Sequence, residues 1–481
     1  MRHLGVPGRT AVVLLTAALG SLSPLTAHAQ TSTSDTSSGY YAFPPPVSAS
    51  PPNDDGQPDQ TYKQTTQCVQ RDLNNDVVPR DKPWGQTYLQ IADAQRLAVA
   101  KTGSAGGGQK VAVIDTGVTQ HPFFRFGVVP GGDYVDPGKQ GLEDCDGHGT
   151  EVAGIIAAKT PPDIGFTGVA PDAQIVSIRQ TSQSYGPAND QTSSKTGSGG
   201  SREQGQGAGN LTTLAKAVVD AANRNVDVIN MSVDNCRQST GTISPQEQQL
   251  QAAIHYAVHD KNVVVVAAAG NVSDTCKQND QADPNKPSWI VTPPWFSDDV
   301  LSVAAIDESG GVASFSVWGP WVSVAAPGTN ITSLDPSSPT GPNLANQVVE
   351  GGKQQPIQGT SFASPYVAGV VALVRAQFPN LNAQQVMHRI EATAQHPGAP
   401  SGRDNFTGYG VVNPVAALTA IVPSEEGIAP AAAKQLPSGL PPAAHRDWTP
   451  MIVALGGTGG GLVVLIITLF VVHTMRRNRP A

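Results

Sequence analysis

The period of hydrophobic positions changes several times along the chain, and each change marks an element. Residues 88–98 carry apolar side chains at helical spacing; a glycine-rich turn follows, then the apolar run 111–114, read as a strand. Further strands are predicted over 174–178, 226–232 and 263–268, separated by helical patterns over 150–158, 211–223 and 247–258. Late in the chain, small and apolar residues recur at helical spacing from Ala363 through Val374, directly after the flexible corner Gly359-Thr360. Apolar strands alternating with helices predict an α/β fold, a doubly wound and mostly parallel sheet with helices on both faces. In such sheets reactive groups gather at the carboxyl ends of the strands.

The ends of the chain follow other patterns. Residues 1–29 combine Arg2, His3 and Arg9 with an apolar run from Ala11 to Leu19 and Ala27-His28-Ala29, the layout of a secretory signal cleaved before Gln30. Residues 30–83 are poor in apolar periodicity and rich in Ser, Thr, Pro, Asp and Gln, which predicts an extended N-terminal segment. Cys68 within it favours wrapping onto the main domain, residues 84–420. Inside that domain, residues 181–210 are low in complexity and predict a flexible insertion on the active-site side of the sheet. A linker is expected over 421–450. Residues 451–472 then run 22 positions without a charge, enough to cross a hydrocarbon core, and Arg476, Arg477 and Arg479 mark 473–481 as a cytoplasmic tail. The glycines between 456 and 461 weaken the helix or offer a face for another membrane helix. The layout places the bulk of the chain outside the cell membrane on one anchor.

A net charge of -8 and a pI near 5.7 provide no basic footprint for nucleic acid. The four cysteines, Cys68, Cys145, Cys236 and Cys276, form an even set in an exported chain, so two disulfides with three possible connectivities are expected.

The candidate chemistry sits in four blocks. Ser361 begins the late helix, where free N–H groups and the positive dipole end favour a developing oxyanion. Taken alone it is an ordinary helix cap. The other blocks change that reading: Val113-Ile114-Asp115-Thr116-Gly117 supplies a carboxylate, Asp146-Gly147-His148-Gly149-Thr150 an imidazole, and Ala269-Gly270-Asn271 an amide. A serine hydroxyl needs a neighbouring base, an imidazole titrates near neutrality, and a carboxylate fixes the imidazole's tautomer. His121, His255 and His259 lack the Asp-Gly-His-Gly-Thr setting and are assigned to surface or packing. The stretch Glu143-Asp144-Cys145-Asp146 is read as shaping the approach to His148, not as a calcium loop, so no metal and no cofactor are expected. Five Asn-x-Ser/Thr sites, at Asn210, Asn230, Asn271, Asn330 and Asn405, are read as chance sequons.

In the order Asp, His, Asn, Ser, and over roughly Trp84 to Leu418, the four blocks resemble those of the subtilisin-like serine proteases. That resemblance implies a subtilisin-like fold and a serine endopeptidase with Asp115, His148 and Ser361 as triad and Asn271 in the oxyanion hole. Ile229-Asn230-Met231-Ser232-Val233 resembles the family's substrate-binding strand, which makes Ser232 and Val233 substrate-binding candidates. Relatives usually carry a glycine just beyond, whereas this chain has Asp234, so its substrate preference is not expected to copy theirs.

The anchored layout with an N-terminal extension and four cysteines is similar to the mycosins, membrane-bound proteases of actinobacterial type VII secretion systems. This branch implies the pairs Cys68–Cys145 and Cys236–Cys276, protein or peptide substrates, and association with secretion membrane-complex subunits. It also implies an alternative, in which the chain is chiefly a structural subunit of that complex and proteolysis is secondary.

Overall fold

The protein is described as a computed structural model over residues 42–74, 80–189, 207–239, 242–280, 286–337, 344–350, 352–399, 401–427 and 449–477. The expected signal at 1–29, the middle of the insertion (190–206), the linker from 428 to 448 and the last four residues of the tail lie outside the described residues. The chain divides into two units, residues 1–426 and 427–481.

In the first unit a seven-stranded sheet runs in the spatial order Val324–Pro327, Leu301–Ile306, Val264–Ala268, Val228–Met231, Lys110–Asp115, Gln174–Arg179, Val128–Asp133. Every neighbouring pair in it is parallel. The central strands are buried along nearly their whole length, which is why they read as continuous apolar runs and not as alternations. The two edge strands have weaker signals: Val128–Asp133 contains Pro130, Gly131 and Gly132, and Val324–Pro327 closes on proline. Edge positions are where a sheet tolerates such residues.

The predicted helix over 211–223 is observed as Leu211–Asn223, capped by Asn210. The pattern over 247–258 resolves into a helix Pro245–His255 and a π-helical turn Tyr256–Asp260. The helix begins earlier than its apolar pattern because Ser244 and Glu247 form a capping box. Residues 88–98 are not one helix. Trp84–Tyr88 and Ile91–Thr102 are separate, since Gln90 takes a left-handed conformation at φ 53° and turns both Leu89 and Ile91 into the core.

The N-terminal segment lies along the domain. Tyr62–Gln64 pairs antiparallel with Tyr185–Pro187, and Gln70–Asp72 pairs antiparallel with Gln347–Glu350. Between these pairings Cys68 is bonded to Cys145, and within the second the Arg71 side chain is buried against Glu151. Further back, Gln251 Nε2 donates to the carbonyl of Pro45 at 2.8 Å. A second disulfide joins Cys236, in the strand Asn235–Gln238, to Cys276.

The second unit contains a helix of 29 residues, Thr449–Arg477, with mean hydropathy 2.2 over its most apolar stretch. It is long and apolar enough to cross a membrane, spanning about 43 Å at 1.5 Å per residue. It includes the whole of the predicted span 451–472 and passes through the glycines without a break.

Candidate active site

Asp115 is the last residue of a central strand and is fully buried. Its Oδ1 accepts from the backbone N–H of Thr116 at 2.7 Å and lies 2.7 Å from His148 Nδ1. His148 opens the helix His148–Ala157, one residue after Gly147 at φ 77°. The turn before it is organised by Asp144, whose Oδ1 accepts from Gly147 N and Thr116 Oγ1 (both 2.8 Å) and whose Oδ2 accepts from Thr150 N (2.8 Å) and Oγ1 (2.6 Å). Thr116 Oγ1 in turn accepts from Gly149 N at 2.9 Å. One carboxylate thus ties the strand end carrying Asp115 to the helix start carrying His148. The close approach explains two glycines. A Cβ on Gly149 would stand 2.0 Å from the Gly117 carbonyl oxygen, and one on Gly117 would stand 2.1 Å from that of Glu143.

Asp146 has a different task. Its carboxylate accepts from Ser182 Oγ, from Gln183 N at 3.1 Å and from Ser184 Oγ at 2.9 Å, which fastens the His148 loop to the start of the 181–210 segment.

Ser361 lies in the first turn of the helix Thr360–Gln377 and is 8% exposed. Its Oγ donates to the carbonyl of Ser232 at 3.2 Å, and no hydrogen bond joins it to His148 among the described residues. Catalytic hydrogen bonds are commonly loose without substrate. The ring of His148 faces that of Phe362, with centroids 5.1 Å apart.

The Asn271 side chain is fixed by its neighbours. Its Oδ1 accepts from Thr360 N at 2.9 Å and from Thr360 Oγ1 at 3.1 Å, and Gly270 N donates to the same hydroxyl at 3.2 Å. With its oxygen held, the amide has Nδ2 left to donate beside Ser361.

Of the two residues expected on the substrate strand, Val233 lines a cleft of about 290 Å³ together with Asp234, Asn235, Gln180, Gln183 and Asn210. Ser232 faces the other way. Its Oγ donates to the Ser361 carbonyl at 2.8 Å, lies 2.9 Å from Ser364 Oγ, and accepts from Asn230 Nδ2 at 2.9 Å. Its side chain therefore positions the Ser361 turn, and only its backbone is left for substrate. Asn230 is fully buried, so its sequon is not open to a glycan.

Burial alone would lower the pKa of His148, but the charge and hydrogen bond of Asp115, with Glu151 and Asp144, lift it from its ordinary value to about 9. Asp144 is pushed up to about 6 by burial against its hydrogen bonds. Asp234 is also raised to about 6 by burial, partly offset by the nearby imidazole. Its Oδ2 lies 3.5 Å from where a Cβ of Gly270 would stand, so its charge sits beside the turn that carries Asn271. Sequence reasoning marked Asp234 as a departure from the family pattern without assigning it a charge role. It missed Thr360, Asn230 and Ser364 as supports, although Thr360 directly precedes Ser361 and Ser364 lies one turn on.

Comparison with known proteins gives consistent matches. The family model Peptidase_S8, Subtilase family, matches residues 106–410. Mycosin-1 of Mycobacterium tuberculosis is 44% identical over 405 residues, 82% of this chain and 86% of that protein. Mycosin-3 of the same organism is 39% identical over 459 residues, covering 91% and 94%. Among solved structures, the serine protease MycP1, described as an essential component of the type VII (ESX-1) secretion system, superposes with a TM-score of 0.69. It is 40% identical, covering 79% of this chain and all of that one. A chain of an intact ESX-5 inner membrane complex matches with a TM-score of 0.67 and 36% identity, covering 90% and 98%.

Proposed function

The chain belongs to the subtilase family, in its mycosin branch, and from that premise we propose that it cleaves secreted proteins outside the membrane through an acyl-enzyme on Ser361. It is a subtilisin-like serine endopeptidase. The observation that carries the assignment of roles is the 2.7 Å pairing of Asp115 with His148 beside Ser361, with the Asn271 oxygen tied back by Thr360.

Ser361 Oγ rotates from the Ser232 carbonyl to His148 and attacks the scissile carbonyl carbon while His148 Nε2 takes its proton. Asp115 holds the proton on Nδ1 and stabilises the imidazolium. The carbonyl oxygen becomes an oxyanion, which accepts from Asn271 Nδ2 and the backbone N–H of Ser361; one such donor lowers the barrier by about 2.7–4 kcal/mol. Collapse of the intermediate expels the amine, which receives the proton from His148. Water activated by the same imidazole then hydrolyses the ester. Substrate lies extended along Val233 to Asn235, in the cleft opposite Gln180 and Asn210.

The chain is membrane-anchored through the helix Thr449–Arg477. In the layout proposed here a cleaved signal spans 1–29, the extension 30–83, the peptidase domain 84–420 and the linker 421–450. The peptidase domain is extracytoplasmic and the residues after 472 are cytoplasmic, an orientation supported by Arg476, Arg477 and Arg479. The setting is a type VII secretion membrane complex, supported by the likeness to a chain of the ESX-5 inner membrane complex. The same likeness favours a second reading, in which the protein mainly stabilises that complex. Ser361→Ala separates the two. It abolishes peptide hydrolysis in either case, but secretion falls with it if catalysis is the main role and continues if the structural role dominates. Under the second reading secretion instead depends on the helix Thr449–Arg477, and deleting it abolishes export even where hydrolysis survives.

A further inference from the structure

At the opposite end of the helix layer from the triad, three ligand-type side chains converge. His255 ends the helix Pro245–His255, His259 lies four residues on in the π-helical turn, and Asp299 comes from the loop before the strand Leu301–Ile306. Their ligand atoms all lie within 4.8 Å of one another, and this is the one such convergence among the described residues. His255 Nδ1 is 2.9 Å from Asp299 Oδ2 and His259 Nε2 is 2.7 Å from Asp299 Oδ1. The two rings lie 4.1 Å apart at 34°, so both nitrogens face the same carboxylate. The Asp299 side chain is 9% exposed, whereas those of His255 and His259 are 43% and 36% exposed.

We propose that His255, His259 and Asp299 form a binding site for a zinc-class divalent cation, separate from the peptidase machinery. Two imidazole nitrogens and one carboxylate oxygen are the donor set of an open zinc site, with a fourth position left for water or another ligand. Space for it exists. The three residues line a cleft of about 690 Å³ shared with Asp298 and Gln384, and Gln384 Nε2 approaches His259 Nε2 at 3.5 Å. The short N···O contacts are those of a carboxylate bridging two imidazole N–H groups. Metal bonds of about 2.0–2.2 Å in tetrahedral geometry need donors about 3.3 Å apart, an opening of about half an ångström that rotation of the half-exposed rings supplies. On binding, each neutral imidazole keeps its one proton on the nitrogen that faces away, Nε2 of His255 and Nδ1 of His259. The second carboxylate at the rim, Asp298, adds attraction for a cation.

The site also has a structural consequence. Pro44 to Val47 of the N-terminal segment form another wall of the cleft, beside the Gln251 to Pro45 hydrogen bond. A bound cation would lock the end of the helix to the Asp299 loop and stiffen the wall on which this segment lies. Anything that binds only the folded state raises its stability by mass action.

The test uses the full-length, detergent-solubilised protein stripped with a chelator. Zn²⁺ alone is titrated by calorimetry into the wild type, His259→Asn, His255→Asn and, as a control for the triad imidazole, His148→Ala. The expected result is one Zn²⁺ per wild-type chain and per His148→Ala chain, with affinity reduced more than tenfold in both His259→Asn and His255→Asn. Zn²⁺ is also expected to raise the unfolding temperature of the wild type and leave that of His259→Asn unchanged. Labelling of Ser361 by a serine-directed probe verifies that His255→Asn and His259→Asn fold, and a cooperative thermal unfolding transition verifies it for His148→Ala. Absence of Zn²⁺ binding by the wild type, or equal affinity in the wild type and both ligand variants, overturns the proposal.

Discussion

His148 and Asp234 place two titrations around one reaction centre. The imidazole is raised to about 9, so its neutral, proton-accepting form grows as pH climbs through that region. In kcat/KM this appears as an acid limb above the ordinary histidine range near 6.5. Folding is linked in the opposite sense. A raised histidine pKa contributes stability that is fully present below about 6.5 and lost as pH rises through about 9. Asp234, charged above about 6 and close to the imidazole, favours the protonated ring. Asp234→Asn therefore moves the acid limb to lower pH, measured as the pH profile of kcat/KM on a peptide substrate. A limb that stays in place would separate Asp234 from the triad. The placement of the candidate residues Asp115, His148 and Ser361 at a strand end and two helix starts was legible in the sequence, because the motifs around them carry the strand and helix patterns. How they are held was not, since Ser232 turning its hydroxyl to Ser361 and Thr360 orienting Asn271 depend on contacts 129 and 89 residues apart.

Among the elements, the N-terminal segment acts as a third layer on the catalytic helix. Arg71 pairs with Glu151 on the helix His148–Ala157, and its Nη2 donates to the Asp146 carbonyl at 3.0 Å. Their side chains are 6% and 0% exposed. Burial raises the Glu151 pKa against the pull of Arg71. Removing the arginine leaves a carboxylate buried in the helix that begins with His148. Arg71→Met is expected to cost about 3–5 kcal/mol, read as a drop in the denaturant midpoint at unchanged slope. A loss under about 1 kcal/mol would mean that Glu151 protonates at little cost. The pairing was not legible in advance because residues 70–72 have no hydrophobic period and form a strand only against Gln347–Glu350. The long buried strands and the Leu211–Asn223 helix were legible because burial on both faces or on one face leaves its period in the sequence. The edge strands and the break at Gln90 answer to tertiary packing, which a local pattern does not record.

At the scale of the whole molecule, a peptidase domain with a strapped-on N-terminal segment shares its chain with the helix Thr449–Arg477, apolar enough to cross a membrane. The two disulfides lie at the ends of the working region: Cys68–Cys145 ties the segment beside the His148 loop, and Cys236–Cys276 links the stretches that follow the Ser232 and Asn271 strands. Both brace surfaces that border the cleft, so catalytic geometry and the N-terminal segment form one mechanical unit. His255 and His259 were assigned to surface or packing in the sequence, and their cluster with Asp299 became visible only when the fold brought the loop before Leu301 against the helix end. The central claim is that Asp115, His148 and Ser361 form a working triad in this setting. Its most direct test is covalent labelling of the detergent-solubilised full chain with a fluorophosphonate, comparing the wild type with Ser361→Ala and His148→Ala. Labelling of the wild type, with none on Ser361→Ala and a rate on His148→Ala lowered by at least about a thousandfold, is the predicted result. Undiminished labelling of Ser361→Ala, or none on folded wild type, would contradict it.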